Sequence, residues 1–290
     1  MADDLFPVLV GPLTLVDALL LLAPLAVVPL GLALVPLTTA PARRVVRLAR
    51  ILQPLGALAA VVSFLLPAGT TAAILAGGWL AVCALAGVAG VTELVCARSV
   101  RPPALLPAAA LGFLTVGGAW MVANRSGLTL GYGPVVAELT AVHFHYAGFV
   151  ATLMSALAIS VLLERSPRLG RLGSAAGLLV VLGTPLTAAG FATGTAVLMV
   201  VGPALLVAGV LITAGLTAFV VAPRVSSPVA RWLLIASAAA VVVPMLLGLD
   251  YAAARVLPVP SLDLRAMAIV HGDLNAIVYA LVGLAGWALR

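Results

Sequence analysis

The chain has 290 residues, 64% of them hydrophobic and 8% charged, with a net charge of +6. A soluble domain carries about 25% charged residues, and a mean hydropathy of +1.27 is more apolar surface than a water-soluble fold can hide, so the soluble classes are excluded. The basic balance comes from fifteen arginines grouped in short segments between apolar runs, which is the pattern of cytoplasmic loops in membrane proteins and not of a nucleic-acid-binding face.

About 20 helical residues cross a hydrocarbon core roughly 30 Å thick. Cutting the chain at charges and turn residues predicts nine such spans. The first, 15–37, contains Pro24, Pro29 and Pro36 and is expected to kink. A basic loop with Arg43, Arg44, Arg47 and Arg50 leads to the second span, 51–66, which ends at Pro67-Ala68-Gly69. The third, 71–95, is followed by Arg98, Arg101 and the pair Pro102-Pro103. The fourth, 104–122, leads into a turn-rich loop at 124–134. The fifth starts at Pro134, a favoured first-turn residue, and runs to 163. A loop with Arg165, Arg168 and Arg171 precedes the sixth, 174–191. The seventh, 195–221, is followed by Arg224 and Arg231, the eighth is 232–249, and a loop with Asp250, Arg255 and Asp263 opens the ninth, 264–289. The reading is an all-α polytopic bundle with one integral membrane domain over 1–290.

Nine spans place Arg43, Arg44, Arg47, Arg50, Arg98, Arg101, Arg165, Arg168, Arg171, Arg224, Arg231 and Arg290 on one side. Only Arg125, Arg255 and Arg265 fall on the other. This bias puts the N-terminus outside and the C-terminus inside. Asp3 and Asp4 give no basic n-region, so no cleavable signal peptide is expected. Cys83 and Cys96 share one predicted helix and imply no disulfide framework.

Ionisable groups at bilayer depth cost at least about 2.5 kcal/mol on insertion scales and default to functional candidates. His143 and His145 lie roughly 15 Å into span five, and His271 lies at similar depth in span nine. Positions i and i+2 are about 200° apart on a helix, so His143 and His145 face opposite ways and serve different partners. Glu138 shares the face of His145. Asn275 shares the face of His271, and Asp273 points nearly opposite. Asp17 reads as an interface residue, Glu93 as a snorkelling carboxylate near the end of span three, and Glu164 as a loop charge.

The motif HFHYAGF at 143–149, preceded by Glu138 and followed late in the chain by HGxLNA at 271–276, resembles the YndJ-like family of bacterial membrane proteins. The resemblance implies a multi-pass protein of the bacterial inner membrane and brings no established activity. Locally, Val142-His143-Phe144-His145-Tyr146 is similar to the helix of haem–copper oxidase subunit I that carries two haem ligands on opposite faces. Carried over by motif, His143 is the high-spin haem ligand and His145 the low-spin ligand, with His271 as the second axial ligand opposite His145. Further histidines for the oxidase copper are missing, so terminal oxidase activity is not expected. The leading expectation is therefore a haem b protein, with a redox partner if both axial positions are filled or a small gas ligand if one is open. The alternatives are a metal-dependent membrane enzyme using His143, His145 and His271 on zinc or non-haem iron, with Glu138 or Asp273, and a transporter or lipid-interacting structural protein with the histidines as proton-relay or packing groups.

Overall fold

The computed structural model describes residues 5–128 and 131–290. Asp3 and Asp4 lie outside the described residues, as does 129–130 of the turn-rich loop. Among the described residues nine helices are long and apolar enough to cross a membrane: α1 Leu15–Leu34, α2 Ala40–Phe64, α3 Thr70–Ala97, α4 Pro102–Ser126, α5 Pro134–Arg165, α6 Pro167–Thr193, α7 Ala196–Arg224, α8 Pro228–Ala253 and α9 Leu264–Ala288. A short antiparallel pair, Val8–Val10 with Leu13–Thr14, precedes α1.

The helix starts follow local chemistry. Proline, which has no N–H to leave unpaired, occupies the first or second position of α2, α4, α5, α6 and α8. Thr14 and Asp17 form a reciprocal capping box at the start of α1, and Asp263 caps α9 by accepting from Ala266 N–H at 2.7 Å. Asp17, read as an interface residue, is a cap at the start of α1. The predicted basic loop before span two is helical: Arg43, Arg44, Arg47 and Arg50 lie in the first turns of α2. Charge lowers the hydropathy of those turns without breaking their helical geometry, so a hydropathy cut starts the span too late.

Inside α1 the prolines decide where hydrogen bonds go. The turn Ala23–Val27 is a π-helix, in which Val28 N–H bonds Ala23 O. Ala23 N–H bonds Leu20 O and Val28 N–H bonds Ala23 O, so Leu19 O and Pro24 O lose their α-helical partners, and the next residues round, 24 and 29, are prolines without an N–H. Side chains from other helices supply the missing donors. Tyr146 of α5 donates to Leu19 O at 2.7 Å and Gln53 of α2 donates to Pro24 O at 2.6 Å. The kink expected from proline therefore doubles as two interhelical bonds.

Helices α2, α3 and α4 pack as sequential neighbours, and α4 packs on α5. α5 is the central element: 83% of its most apolar window is buried, against 33–56% for the others. On its other side α1, α5, α6, α7, α8 and α9 close a ring, each packed on the next and α9 on α1. α6 and α7 approach closely because Gly183 and Gly202 bring backbone to backbone, where a Cβ would collide with Leu206 and Thr187.

Candidate functional site

The ring of six helices borders a partly open cavity of about 390 Å³, within the usual range of about 300–1,000 Å³ for ligand pockets. Its lining is mainly apolar, and it lies where α1, α5, α7 and α9 begin and α6 and α8 end, which is the arginine-poor end of the bundle. Polar atoms enter it from α5 (Thr140, His143, Tyr146), α6 (Thr187) and α9 (His271, Asn275, Tyr279), with Tyr251 of α8 at the rim.

His143 and His271 share this cavity, and their hydrogen bonds fix their chemistry. His143 Nε2 lies 3.3 Å from Thr184 O, and His271 Nδ1 lies 2.6 Å from Pro244 O. A carbonyl oxygen only accepts, so each ring spends its proton on a backbone carbonyl. The other nitrogen of each neutral ring keeps a lone pair and meets no hydrogen-bond donor among the described residues. Asn275 donates to His271 O at 2.9 Å, leaving its own Oδ1 buried and unpartnered beside the cavity. Gly248 of α8 makes room for His271: a Cβ there would stand 2.9 Å from His271 Cε1.

His145 has a different fate. It is fully buried on the opposite side of α5, away from the cavity lining. Its Nδ1 donates to Ala141 O at 2.8 Å, and its Nε2 accepts from Trp79 Nε1–H of α3 at 3.0 Å. Gly117 of α4 lets it fit, since a Cβ there would lie 2.7 Å from His145 Nδ1. Both nitrogens are used. The two-faced arrangement of His143 and His145 is therefore present, but the histidine that shares a space with His271 is His143 and not His145. Replacing Trp79 with phenylalanine is expected to orphan His145 Nε2 and lower stability by about 1–3 kcal/mol, read as thermal unfolding in detergent, with the cavity ligand site unaffected.

The three histidines do not converge, and among the described residues no three His, Cys, Asp or Glu side chains form a metal-binding group. The three-histidine zinc or non-haem iron arrangement thus finds no support in this geometry, for the same helical reason that separates i from i+2. The helix does shift to π geometry over Phe144–Ala151, but this turns neither ring back to the other. Glu138 is outside the cavity lining. Its Oε1 is buried without a hydrogen-bond partner, and the charges of Asp17 on α1 and Arg125 on α4 act on it. Asp273 also stays outside, with Oδ1 buried and unpartnered.

Glu93 is completely buried, not snorkelling. It accepts from the backbone N–H and the hydroxyl of both Thr38 and Thr39. Trp79 escaped the sequence reading, and Arg125 (which donates to Ser63 O at 2.9 Å) and Glu93 were named without their roles, because their partners lie 55 to 66 residues away. The signal that was available is the oddity of a tryptophan and a carboxylate in mid-span or near-end positions, each needing a partner.

A profile of the YndJ-like protein family matches residues 18–279. The chain belongs to the YndJ-like family. It is an integral membrane protein, as its nine apolar helices and this membership together indicate. Searches of curated proteins and of solved structures returned no match. Both histidine motifs of this YndJ-like chain, 143–149 and 271–276, lie within the matched residues.

Proposed function

We propose that this YndJ-like protein holds a ligand within the bilayer in the His143–His271 cavity, and that the ligand is haem b with the two histidines as axial ligands. The observation that carries the reading is the spent proton on each ring. A metal-binding histidine characteristically donates its other ring N–H to a carbonyl or carboxylate, which fixes the tautomer and makes the free nitrogen a better ligand. His143 and His271 both have this arrangement, on facing helices of one apolar cavity. No charged side chain lines the cavity, and Arg255, stacked 4.3 Å over the Tyr251 ring at the rim, supplies a cation there for the propionates.

Haem held by two histidines supplies one-electron transfer. The chain's own residues do the rest: Thr184 and Pro244 carbonyls orient the rings, Gly248 gives His271 its space, and the apolar walls keep water away. The two-haem arrangement of oxidases is not part of the proposal, because His145 has no free nitrogen. The arginine distribution supports a cytoplasmic arginine-rich end, which puts the cavity in the outer half of a bacterial inner membrane.

The test is an absorption spectrum of protein purified from a haem-replete host. A Soret band with the sharp reduced α and β bands of bis-histidine haem is expected. Folded protein that shows no Soret band, even after hemin is added, ends the haem reading.

A further inference from the structure

Helix α2 meets the bilayer differently from its neighbours. Ala42, Val46, Ala49, Gln53, Ala57 and Ala60 are buried against the bundle, while Arg44, Leu48, Ile51, Leu55, Leu58 and Val62 form an exposed stripe on the other side. Spacings of four and three residues alternate along that stripe, so it stays on one helix face. Its apolar part is short. From Ile51 to Leu66 is about 22 Å at 1.5 Å per residue, against a hydrocarbon core of roughly 30 Å. In α6, by contrast, the residues after Arg171 continue as helix to Thr193, a length of about 32 Å. A hydrophobic segment shorter than the core thins the bilayer locally or snorkels its flanking residues. The arginine-rich turns of α2 are therefore drawn to the edge of the hydrocarbon, at the level of lipid phosphates.

Those turns carry unmatched charge. Arg43, Arg44, Arg47 and Arg50 are all exposed. Arg43 donates to Leu37 O and Thr38 O, and the side chains of the other three make no hydrogen bond to a described residue. Of the carboxylates at this end, Glu93 is buried and already accepts from Thr38 and Thr39. Glu164 lies on the half of α5 that packs chiefly on α4 and α6. Arg224 and Arg231, at the same end of the bundle, are turned onto their own chain instead, donating to Val220 O and Val225 O. Arg44, Arg47 and Arg50 follow one another at three-residue spacing, which sets neighbouring Cβ atoms about 5–6 Å apart. Two such guanidinium forks can share one phosphate, whose oxygens suit their planar donors.

We propose that this face of α2 is a binding site for an anionic phospholipid, with the headgroup phosphate held by Arg44, Arg47 and Arg50 and the acyl chains laid along Leu48, Ile51, Leu55 and Leu58. Charge complementarity selects the head: each arginine near the surface adds to the attraction for anionic lipid. A zwitterionic lipid carries the same phosphate but brings a cation with it, which the arginines repel. A free phosphate has the charge and no chains, and leaves the apolar stripe below the arginines uncovered. The site adjoins Arg43, which closes the link between α1 and α2, so a lipid held there braces the first two spans. The proposal goes beyond the cavity ligand and does not depend on it.

The experiment adds phosphatidylglycerol or phosphatidylcholine of the same acyl composition to the full chain in detergent, and reads bound lipid by native mass spectrometry. Wild type is expected to bind phosphatidylglycerol about tenfold tighter than phosphatidylcholine, with a higher unfolding midpoint. The triple variant Arg44→Gln, Arg47→Gln, Arg50→Gln removes the charge at similar side-chain length and is expected to erase the preference. The triple variant Arg165→Gln, Arg168→Gln, Arg171→Gln removes as many charges from the same end and is expected to keep it. Equal binding of the two lipids by wild type, an unchanged preference in the folded α2 variant, or an equal loss in the second variant would each overturn the site. If the α2 triple variant does not fold, Arg47→Gln decides alone: a preference narrowed about threefold is expected, and an unchanged one overturns the site. Inorganic phosphate is expected to displace no more lipid than chloride of equal ionic strength. Greater displacement would show a free-anion site and overturn the lipid assignment. None of these readouts passes through haem, so a missing Soret band would remove the haem reading and leave this one standing.

Discussion

Glu93→Ala is expected to destabilise the protein by on the order of 2 kcal/mol, as much as a typical core truncation. The carboxylate sits close to the C-terminal end of α3 with no exposed surface, and its two oxygens each take one backbone N–H and one hydroxyl, from Thr38 and from Thr39. Those two residues form the link between α1 and the N-terminus of α2, where Thr39 is the N-cap. Arg43 closes the same link from the other side by donating to Leu37 O and Thr38 O. Alanine leaves four donors behind, but Thr38 is exposed and Thr39 half-buried, so water takes up most of them and only part of the about 1–3 kcal/mol of a buried unpaired donor is lost. Glu93→Gln retains one accepting oxygen and is expected to lose about half as much. Thermal unfolding in detergent measures both, and limited proteolysis should show new cleavage at 35–40 in the alanine variant. Equal midpoints for wild type and alanine variant would show that the clamp is dispensable.

The clamp also shows how far the sequence could be read. The nine spans were legible because each needs a run of apolar residues long enough for the bilayer, and that constraint is local. Boundaries were less legible where charge and helix coexist: the arginine-rich start of α2 is helical although it reads as a loop. Glu93 was visible as a residue and invisible as a structure, because its partners are on the far side of an interhelical link. The same holds for the prolines of α1, whose kink was predictable while Tyr146 and Gln53 as donors to the freed carbonyls were not. For the site, helical periodicity correctly sent His143 and His145 to opposite faces. It could not say which face meets α9, since that depends on how α4 and α3 pack against α5 through Gly117 and Trp79. Asp17, Glu138 and Arg125 show the same gap: three charges far apart in the chain act on one another where α1, α4 and α5 pack, and no spacing within one helix reports it.

That difference between faces makes the second large effect a contrast among histidines. His271→Ala and His143→Ala are each expected to abolish bis-histidine haem binding, seen as loss of the sharp reduced bands and a fall in haem content of at least tenfold. His145→Ala is expected to keep the spectrum and to lose stability instead, because it leaves the Trp79 indole N–H without its partner, removes one of the bonds to Ala141 O and opens a hole against Gly117. The reason lies in which nitrogens are free. The rings at 143 and 271 each have one hydrogen bond and one lone pair, and the ring at 145 has two hydrogen bonds and nothing to offer an iron. An oxidase-like pairing of His145 with His271 predicts the reverse pattern, with the spectrum lost at 145 and kept at 143. Unfolding midpoints taken on the same samples separate a lost ligand from a lost fold. A spectrum that vanishes in His145→Ala while the variant remains folded would show that the ligand lies on the α3–α4 side of α5, and the cavity assignment would fall.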